Sequence, residues 1–326
     1  MRSEQEVRNA IELVLEDEVI KHLAIDFDDS LVTVIIENEG LDVSREKVLS
    51  RNIAKIVKLD SGFKGLKLSI EKKIVERESS TTKYITVTSG KGGVGKSSVS
   101  ANLAVSLARL GKKVGIIDAD IYGPSLPQIF GINEPTITMN EKQKIVPMST
   151  VDGVYIISTD FLTEDDLPLM WRGPMLGRML GHFFNDVVWD DDFDFIIVDL
   201  PPGTGDIPLD LKNFIPDAKA IVVTTPNKMA SNIAIKSGMM AKHLGHDILG
   251  VVENMSYYLN PATNSEDKIF GSGGGNFVAT SLETELLAEI PISQVKEGYD
   301  SGIFAIHEEN GMVYLGLANK LLKKLQ

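Results

Sequence analysis

Cysteine is absent from all 326 residues. Disulfide frameworks, zinc–thiolate sites, cysteine nucleophiles and all-thiolate iron–sulfur clusters built within this polypeptide are thereby excluded. Positive charge is also scarce: 33 basic side chains face 46 acidic ones, a net charge of −13. Binding a nucleic-acid backbone needs concentrated Lys and Arg, so no nucleic-acid partner is expected. No apolar run approaches the roughly 18 residues of a membrane span. The opening Met1-Arg2-Ser3-Glu4 does not start a basic segment followed by a short apolar one. A cytoplasmic protein off the membrane is the expectation. Internal repeats are missing as well. What remains, 43% apolar and 24% charged, is the composition of an ordinary soluble protein, with enough length for two domains and a sizeable core.

Residues 1–78 read as a small α+β domain. Helical spacing at Val7, Ile11, Val14 and Leu15 precedes extended stretches at 24–27 and 31–36. A helix marked by Val48, Ile53, Ile56 and Val57 and a strand-like run at 66–70 follow. The polar residues 76–83 lack apolar periodicity, and 79–83 are taken as the linker. From 84 to 326, short apolar runs alternate with amphipathic stretches, the pattern of an α/β domain with a mainly parallel sheet covered on both faces. Strands are expected at 84–87, 114–117, 154–157, 195–198, 221–224 and 248–252, with a short one running into Ile290. Ligands of such sheets bind at the carboxyl ends of the strands.

After the first strand comes Gly90-Lys91-Gly92-Gly93-Val94-Gly95-Lys96-Ser97, which satisfies G-x-x-x-x-G-K-[ST]. Ser98 leads on into a helix with Val99, Leu103, Leu107 and Leu110 on one face and Gly111 as its C′ residue. Glycines let backbone N–H groups turn inward around phosphate oxygens, and the free helix N-terminus adds its dipole. Residues 90–98 are therefore the expected nucleotide-binding loop. Lys96 is expected to reach the β and γ phosphates, and Ser97 to place its hydroxyl on Mg2+.

Two apolar runs end in acids, at Asp118-Ala119-Asp120 and at Asp199. A carboxylate after a hydrophobic strand is the usual second holder of Mg2+ in P-loop enzymes, a role expected of Asp199 with Asp118 in the outer shell. Asp120 is the candidate for orienting or deprotonating the attacking water, or else caps the segment after it. Leu200-Pro201-Pro202-Gly203-Thr204-Gly205-Asp206 cannot be regular helix or central strand. Pro202, Gly203 and Gly205 are thus candidate parts of a switch that detects the γ-phosphate, with a plain tight turn as the alternative.

Lys91 is not required for cradling phosphate. With it the loop resembles the deviant Walker A group, the MinD, ParA and Mrp-type ATPases. That resemblance implies a homodimer in which Lys91 crosses the interface to the partner's nucleotide and acts as an arginine finger does. Asp118 to Ser125, Met170-Trp171-Arg172-Gly173-Pro174-Met175, Asp199 to Asp206 and Val252-Glu253-Asn254-Met255-Ser256 further resemble the Mrp/ApbC iron–sulfur cluster carriers. The resemblance spans about residues 84–310 and implies a P-loop NTPase fold and Mg-dependent ATP hydrolysis. It also implies an iron–sulfur cluster as cargo, with apo-protein or assembly partners. Asn254 is then expected to bond the adenine, with Pro291 of Ile290-Pro291-Ile292 lining the base pocket. The alternative for Asn254 is a purely structural role at a buried loop end.

One departure bears on mechanism. Family members carry a Cys-Pro-x-Cys pair shortly after the Glu-Asn-Met-Ser stretch, where two subunits would share a bridging cluster. Here the positions read Asn260-Pro261-Ala262-Thr263. Their oxygens, with Glu266 and Asp267 nearby, are hard ligands poorly matched to iron sulfide, so the chemistry argues against direct cluster binding. Two readings stay open. One is an ATPase serving iron–sulfur assembly, holding a cluster labilely or acting through partners. The other is an ATP-driven dimerisation switch or positioning factor that does not handle clusters.

Weaker signals have plainer explanations. His243 and His246, separated by Leu244-Gly245, suit a helix C-terminus better than a metal. Met312, Leu315, Leu322 and Leu325 with Lys320, Lys323 and Lys324 make an amphipathic helix, expected to pack on the core rather than on a membrane. Asp190, Asp191, Asp192 and Asp194 are expected in a solvated loop.

Overall fold

The computed structural model describes residues 3–15, 20–28, 31–38, 43–72, 82–121, 123–162, 173–189, 192–203, 207–296 and 301–325. Two compact units divide the chain, Met1–Ser79 and Ser80–Gln326.

The first unit runs α1 (Glu4–Leu15), β1 (Ile20–Asp28), β2 (Leu31–Asn38), α2 (Val43–Ala54), a π-helical turn Lys55–Asp60 and β3 (Gly65–Lys72). β2 lies in the middle, antiparallel to β1 and parallel to β3. Because side chains alternate along a strand, Val32, Val34 and Ile36 share one face. In register beside them stand Phe27, Ile25 and Leu23 on β1 and Leu66, Leu68 and Ile70 on β3. Val7, Ile11 and Leu15 of α1 and Leu49 and Ile53 of α2 complete that core. The expected marker Val48 is instead 57% exposed. Spacings of four connect 49, 53 and 57, so the buried stripe runs through Leu49 and leaves 48 outside it.

The second unit contains β4 (Lys83–Ser89), α3 (Lys96–Arg109), β5 (Val114–Asp118), β6 (Met148–Ser149), β7 (Val154–Ser158), α4 (Gly173–Asn185) and β8 (Phe195–Asp199). Then come α5 (Ile207–Phe214), β9 (Lys219–Thr224), α6 (Lys228–His243), β10 (Asp247–Asn254), α7 (Gly274–Ser281), β11 (Leu286–Ile290) and α8 (Glu309–Lys324). One eight-stranded sheet forms in the order β11-β10-β9-β4-β8-β5-β7-β6. Its pairings are parallel except for the two-residue edge β6 against β7. β4 begins at Lys83, assigned to the linker from sequence, because its N–H reaches Asp194 O at 3.0 Å.

Alternation along the strands feeds a core on each face, the second of them in two clusters. Ile85, Val87, Phe195 and Ile197 pack with α3 and α8 on one face. Opposite them, Ile196 and Val198 pack with Leu180 and Phe183 of α4 and Leu211 of α5, and Val222 and Val251 with Ala234 of α6 and Val278 of α7. Gly111 ends α3 as expected, its N–H donating to Ala108 O at 2.9 Å and that of Lys112 to Leu107 O at 3.2 Å. Gly245 and His246 close α6 in the same way on Lys242 O and Ala241 O, both at 3.0 Å.

α8 packs through Tyr314, Leu317, Ala318 and Leu321, all buried. Met312, expected on its apolar face, is 58% exposed. Lys320 and Lys324 turn back to donate to Leu287 O (2.6 Å) and Leu249 O (2.9 Å). Among the described residues no helix is long and apolar enough to cross a membrane. Asp192 and Asp194 pair with Lys113 (2.6 Å) and Lys112 (3.0 Å), while Asp190 and Asp191 lie outside the described residues.

Candidate nucleotide site

β4 delivers the chain to Ser89 at the carboxyl edge of the sheet, and α3 begins at Lys96. Between them the backbone must turn tightly. Gly95 has φ +80°, and a Cβ there would lie 2.1 Å from Asn254 Nδ2. At Gly90 a Cβ would meet the Ile233 carbonyl carbon at 2.4 Å, so only glycine lets the loop lie against α6. Val94 is buried and anchors the loop, while Lys91, Gly92 and Gly93 are exposed at its mouth. Gly95, Ser97 and Ser98 are half-buried beside them.

Parallel register sets Asp199 of β8 beside Asp118 of β5. Asp199 is the hub: its Oδ2 accepts from Lys96 Nζ and Ser97 Oγ, both at 2.6 Å, and its Oδ1 from Ser100 Oγ at 2.5 Å. Nothing in the sequence marks Ser100 as part of this cluster. One turn beyond Lys96 it looks like filler in an apolar helix face, although a buried serine there needs a partner. Asp118 instead serves the chain's own backbone. Its Oδ1 accepts from Asp120 N (3.2 Å), and its Oδ2 from Ser125 N and Leu126 N (both 3.1 Å) and Ser158 Oγ (3.3 Å). Burial, and after it the Asp199 carboxylate, push Asp118 up to about 7, against the N–H groups of Leu126 and Asp120 and the charge of Lys96. Asp120 is half-buried just past the end of β5.

The segment after β8 leans on the loop. Leu200 N donates to Val87 O (3.1 Å) and Gly203 N to Ser89 O (2.9 Å), and Pro202 lies beside Gly92. Gly205 falls outside the described residues, as do Tyr122, Met170, Trp171 and Arg172. On the far side of β4, Asn254 is buried at the end of β10 and donates from Nδ2 to Val94 O at 2.9 Å. One amide hydrogen of the expected adenine contact thus pins the loop. Pro291 continues from β11, and its carbonyl accepts from Asn310 Nδ2 at 3.1 Å.

A short ribbon extends from the same edge. Tyr258–Leu259 pairs antiparallel with Glu266–Asp267, and its tip is spent on itself. Asn260 Oδ1 accepts from Ala262 N (3.0 Å), Asn260 Nδ2 donates to Asp267 Oδ2 (3.1 Å), and the Thr263 and Ser265 hydroxyls meet at 2.8 Å. At its base, Ser256 Oγ donates to the buried Glu253 Oε1 at 2.5 Å.

The family model of ParA proteins, described as NUBPL iron-transfer P-loop NTPases, matches residues 80–325. The chain belongs to this family. This P-loop NTPase is 45% identical over 261 residues to an iron-sulfur cluster carrier protein of Bacillus subtilis, covering 79% of this chain and 73% of that one. Its identity to the carrier protein of Helicobacter pylori is 33% over 320 residues, covering 93% and 86%, more than the second unit alone supplies. Among solved structures it is similar to a nucleotide-binding protein of Archaeoglobus fulgidus in complex with ADP, with 33% identity, TM-score 0.56, and 73% of this chain and 87% of that chain covered. The cell division ATPase MinD of Pyrococcus furiosus follows, with 26% identity, TM-score 0.54, and 74% and 99% covered. The MinD-like α/β fold expected from the sequence is the fold observed.

Proposed function

We propose that this P-loop NTPase binds Mg-ATP at residues 90–98, hydrolyses it as a homodimer, and uses that cycle in iron–sulfur cluster traffic with thiolates supplied by its partners. One observation carries the nucleotide part: Lys96, Ser97 and Asp199 converge within 2.6 Å contacts where a glycine loop enters α3. Lys96 pairs with Asp199 here and has a triphosphate as its stronger anionic partner when nucleotide arrives. Ser97 Oγ and Asp199 Oδ2 are adjacent hard oxygens of the kind that hold Mg2+. Ser97 and Asp199 would hold the ion, which would supply neutralisation of negative charge on the phosphates. Asp120 orients the attacking water, with Asp118 holding the N–H of Asp120 and the backbone at 125–126. Lys91, exposed at the mouth, reaches the nucleotide of a second copy. The hydrogen bond from Gly203 to Ser89 supports a role for the 200–206 segment in reporting the γ-phosphate.

The cargo reading rests on the relatives, which are named iron-sulfur cluster carrier proteins. The tip at 260–263 supports a division of labour, because its polar side chains are already bonded within the ribbon, Asn260 to Ala262 N and the Asp267 carboxylate and Thr263 to the Ser265 hydroxyl, and it holds no thiolate. Soft ligands for a cluster then come from a client or assembly partner. The same tip also favours the second reading, an ATP-driven switch that does not handle clusters.

Anaerobic reconstitution separates the two. Incubation with Fe2+ and sulfide is expected to leave no stoichiometric iron on the chain alone. With a thiol-bearing apo-acceptor, cluster formation on the acceptor is expected to quicken with ATP. A stoichiometric, transferable cluster on the isolated chain would overturn the division of labour. Acceptor loading indifferent to this protein would select the switch reading.

A further inference from the structure

Asn102 stands in the middle of α3, where asparagine is a poor helix former and needs a reason to be present. Its side chain is almost fully buried. Nδ2 donates to Ser98 O in its own helix (2.9 Å) and to Gly302 O (3.1 Å), while Oδ1 accepts from Phe304 N (2.9 Å). The amide thus pairs with the 302–304 backbone as a neighbouring strand would. Arg109, about two turns further along the same face, donates from Nη1 to Phe304 O at 2.8 Å. Both backbone polar groups of Phe304 are therefore held by the helix that starts at the phosphate loop.

The clasp passes on to the segment after β11. Glu308, buried at the entry to α8, accepts from Ala305 N through Oε2 (2.7 Å) and from Lys296 N through Oε1 (2.8 Å). Two residues on, Asn310 bonds Pro291 O. Gly302 N donates to Ile129 O at 2.7 Å, and a Cβ at Gly311 would lie 1.9 Å from Ala305 O, so the knot is tightly closed. Its place in the site follows from the sheet order. Acidic Asp199 and Asp118 occupy β8 and β5 on one side of β4, whereas β9, β10 and β11 end on the other. A triphosphate whose γ-end lies toward the acids directs its nucleoside toward Asn254 and Pro291.

We propose that Asn102 is a positioning residue for nucleobase selectivity: by tying 302–304 to the phosphate-loop helix, it sets the distance between the phosphate cradle and the base-side segment at 291–296. The inference rests on the nucleotide reading above. Its logic is that binding energy from the base is realised only if that segment is already in place when the phosphates dock.

The test is calorimetry on the full chain with Mg-ATP, Mg-GTP and Mg-tripolyphosphate. In Asn102→Leu, tripolyphosphate affinity is expected to stay within about twofold of wild type, while ATP weakens about tenfold and ATP/GTP selectivity flattens. Glu308→Gln, which loosens the same segment without touching α3, is expected to show the same pattern and serves if Asn102→Leu does not fold. Equal losses for ATP and tripolyphosphate would assign Asn102 to the phosphate loop and overturn the proposal. Unchanged selectivity in both variants would overturn it as well. Failure of wild type to bind any of the three would strike the nucleotide reading itself, a result distinct from either.

Discussion

The ammonium of Lys96 lies 2.6 Å from Oδ2 of Asp199, with 6% and 0% of the two side chains exposed. A buried ion pair repays its desolvation only when the remaining hydrogen-bonding capacity is also used. Ser97 and Ser100 do this for the carboxylate. Truncating Lys96 removes both the proposed phosphate ligand and the counter-charge of a fully buried acid. Lys96→Ala is therefore expected to abolish nucleotide binding and to cost about 3–5 kcal/mol of stability. Calorimetry and urea titration read the two effects separately, and wild-type affinity in this variant would contradict the assignment.

Asp120 is half-buried and lies outside the Lys96–Asp199 pair, so its loss should leave the cradle intact. Asp120→Ala is expected to bind Mg-ATP as wild type does and to turn over about 10²–10⁴-fold more slowly. Phosphate release measured at saturating ATP checks this. A matching fall in affinity would move Asp120 from catalysis to binding.

Lys91 is exposed on a loop whose fold does not depend on it. Lys91→Ala should fold and bind ATP, yet lose about 10³-fold or more in turnover if the lysine acts as an arginine finger does. Mixing makes the trans assignment testable. A dimer of one Lys91→Ala and one Asp120→Ala subunit regains one site with both groups. Mixtures are thus expected to recover a fraction of wild-type turnover, whereas a lysine acting within its own subunit predicts none.

Legibility in the sequence follows the range of the interactions. The seven parallel strands of the large sheet can be read, because buried strands are short apolar runs and their carboxyl ends carry Ser89, Asp118, Asp199 and Asn254 in plain view. The glycine loop between β4 and α3 is a local motif and is equally plain. Asn102 is opaque for the opposite reason: its partners Gly302 and Phe304 are 200 and 202 residues away. Ser100 resembles any small residue on a helix face until Asp199 is brought beside it. In α8, apolar residues on several sides leave the phase ambiguous, and packing chose Tyr314, Leu317 and Leu321 over Met312. β6 is too short, at two residues, to leave any periodicity.

His246 predicts a pH dependence of stability. Its ring is buried against Ile215, with Nε2 left without a partner. Burial, and to a lesser degree Lys219, hold the imidazole below its ordinary 6.5, against the Ile215 carbonyl that favours charge. Between the lowered value and 6.5 the unfolded chain holds the extra proton, so folded stability is present above 6.5 and drains away as pH falls. Urea midpoints taken from about pH 7 to 5 should decline more steeply for wild type than for His246→Gln, which stays neutral throughout. Parallel profiles would show that this ring does not titrate on unfolding.

The ribbon tip offers a gain-of-function experiment. Asn260 and Thr263 have the spacing of a Cys-x-x-Cys pair, and Thr263 is exposed while Asn260 is half-buried. Replacing them costs only tip hydrogen bonds near the surface, each worth about 1 kcal/mol. The double variant Asn260→Cys/Thr263→Cys presents two soft ligands per subunit and four in the proposed dimer, which suits an iron–sulfide cluster as the native oxygens do not. After anaerobic reconstitution the variant is expected to hold iron and sulfide in fixed ratio to dimer, with visible charge-transfer absorption, and wild type to hold neither. Retention of a cluster by both would mean that ligands other than tip thiolates hold it. Retention by neither would mean that the ribbon geometry, and not only its chemistry, has turned away from cluster binding.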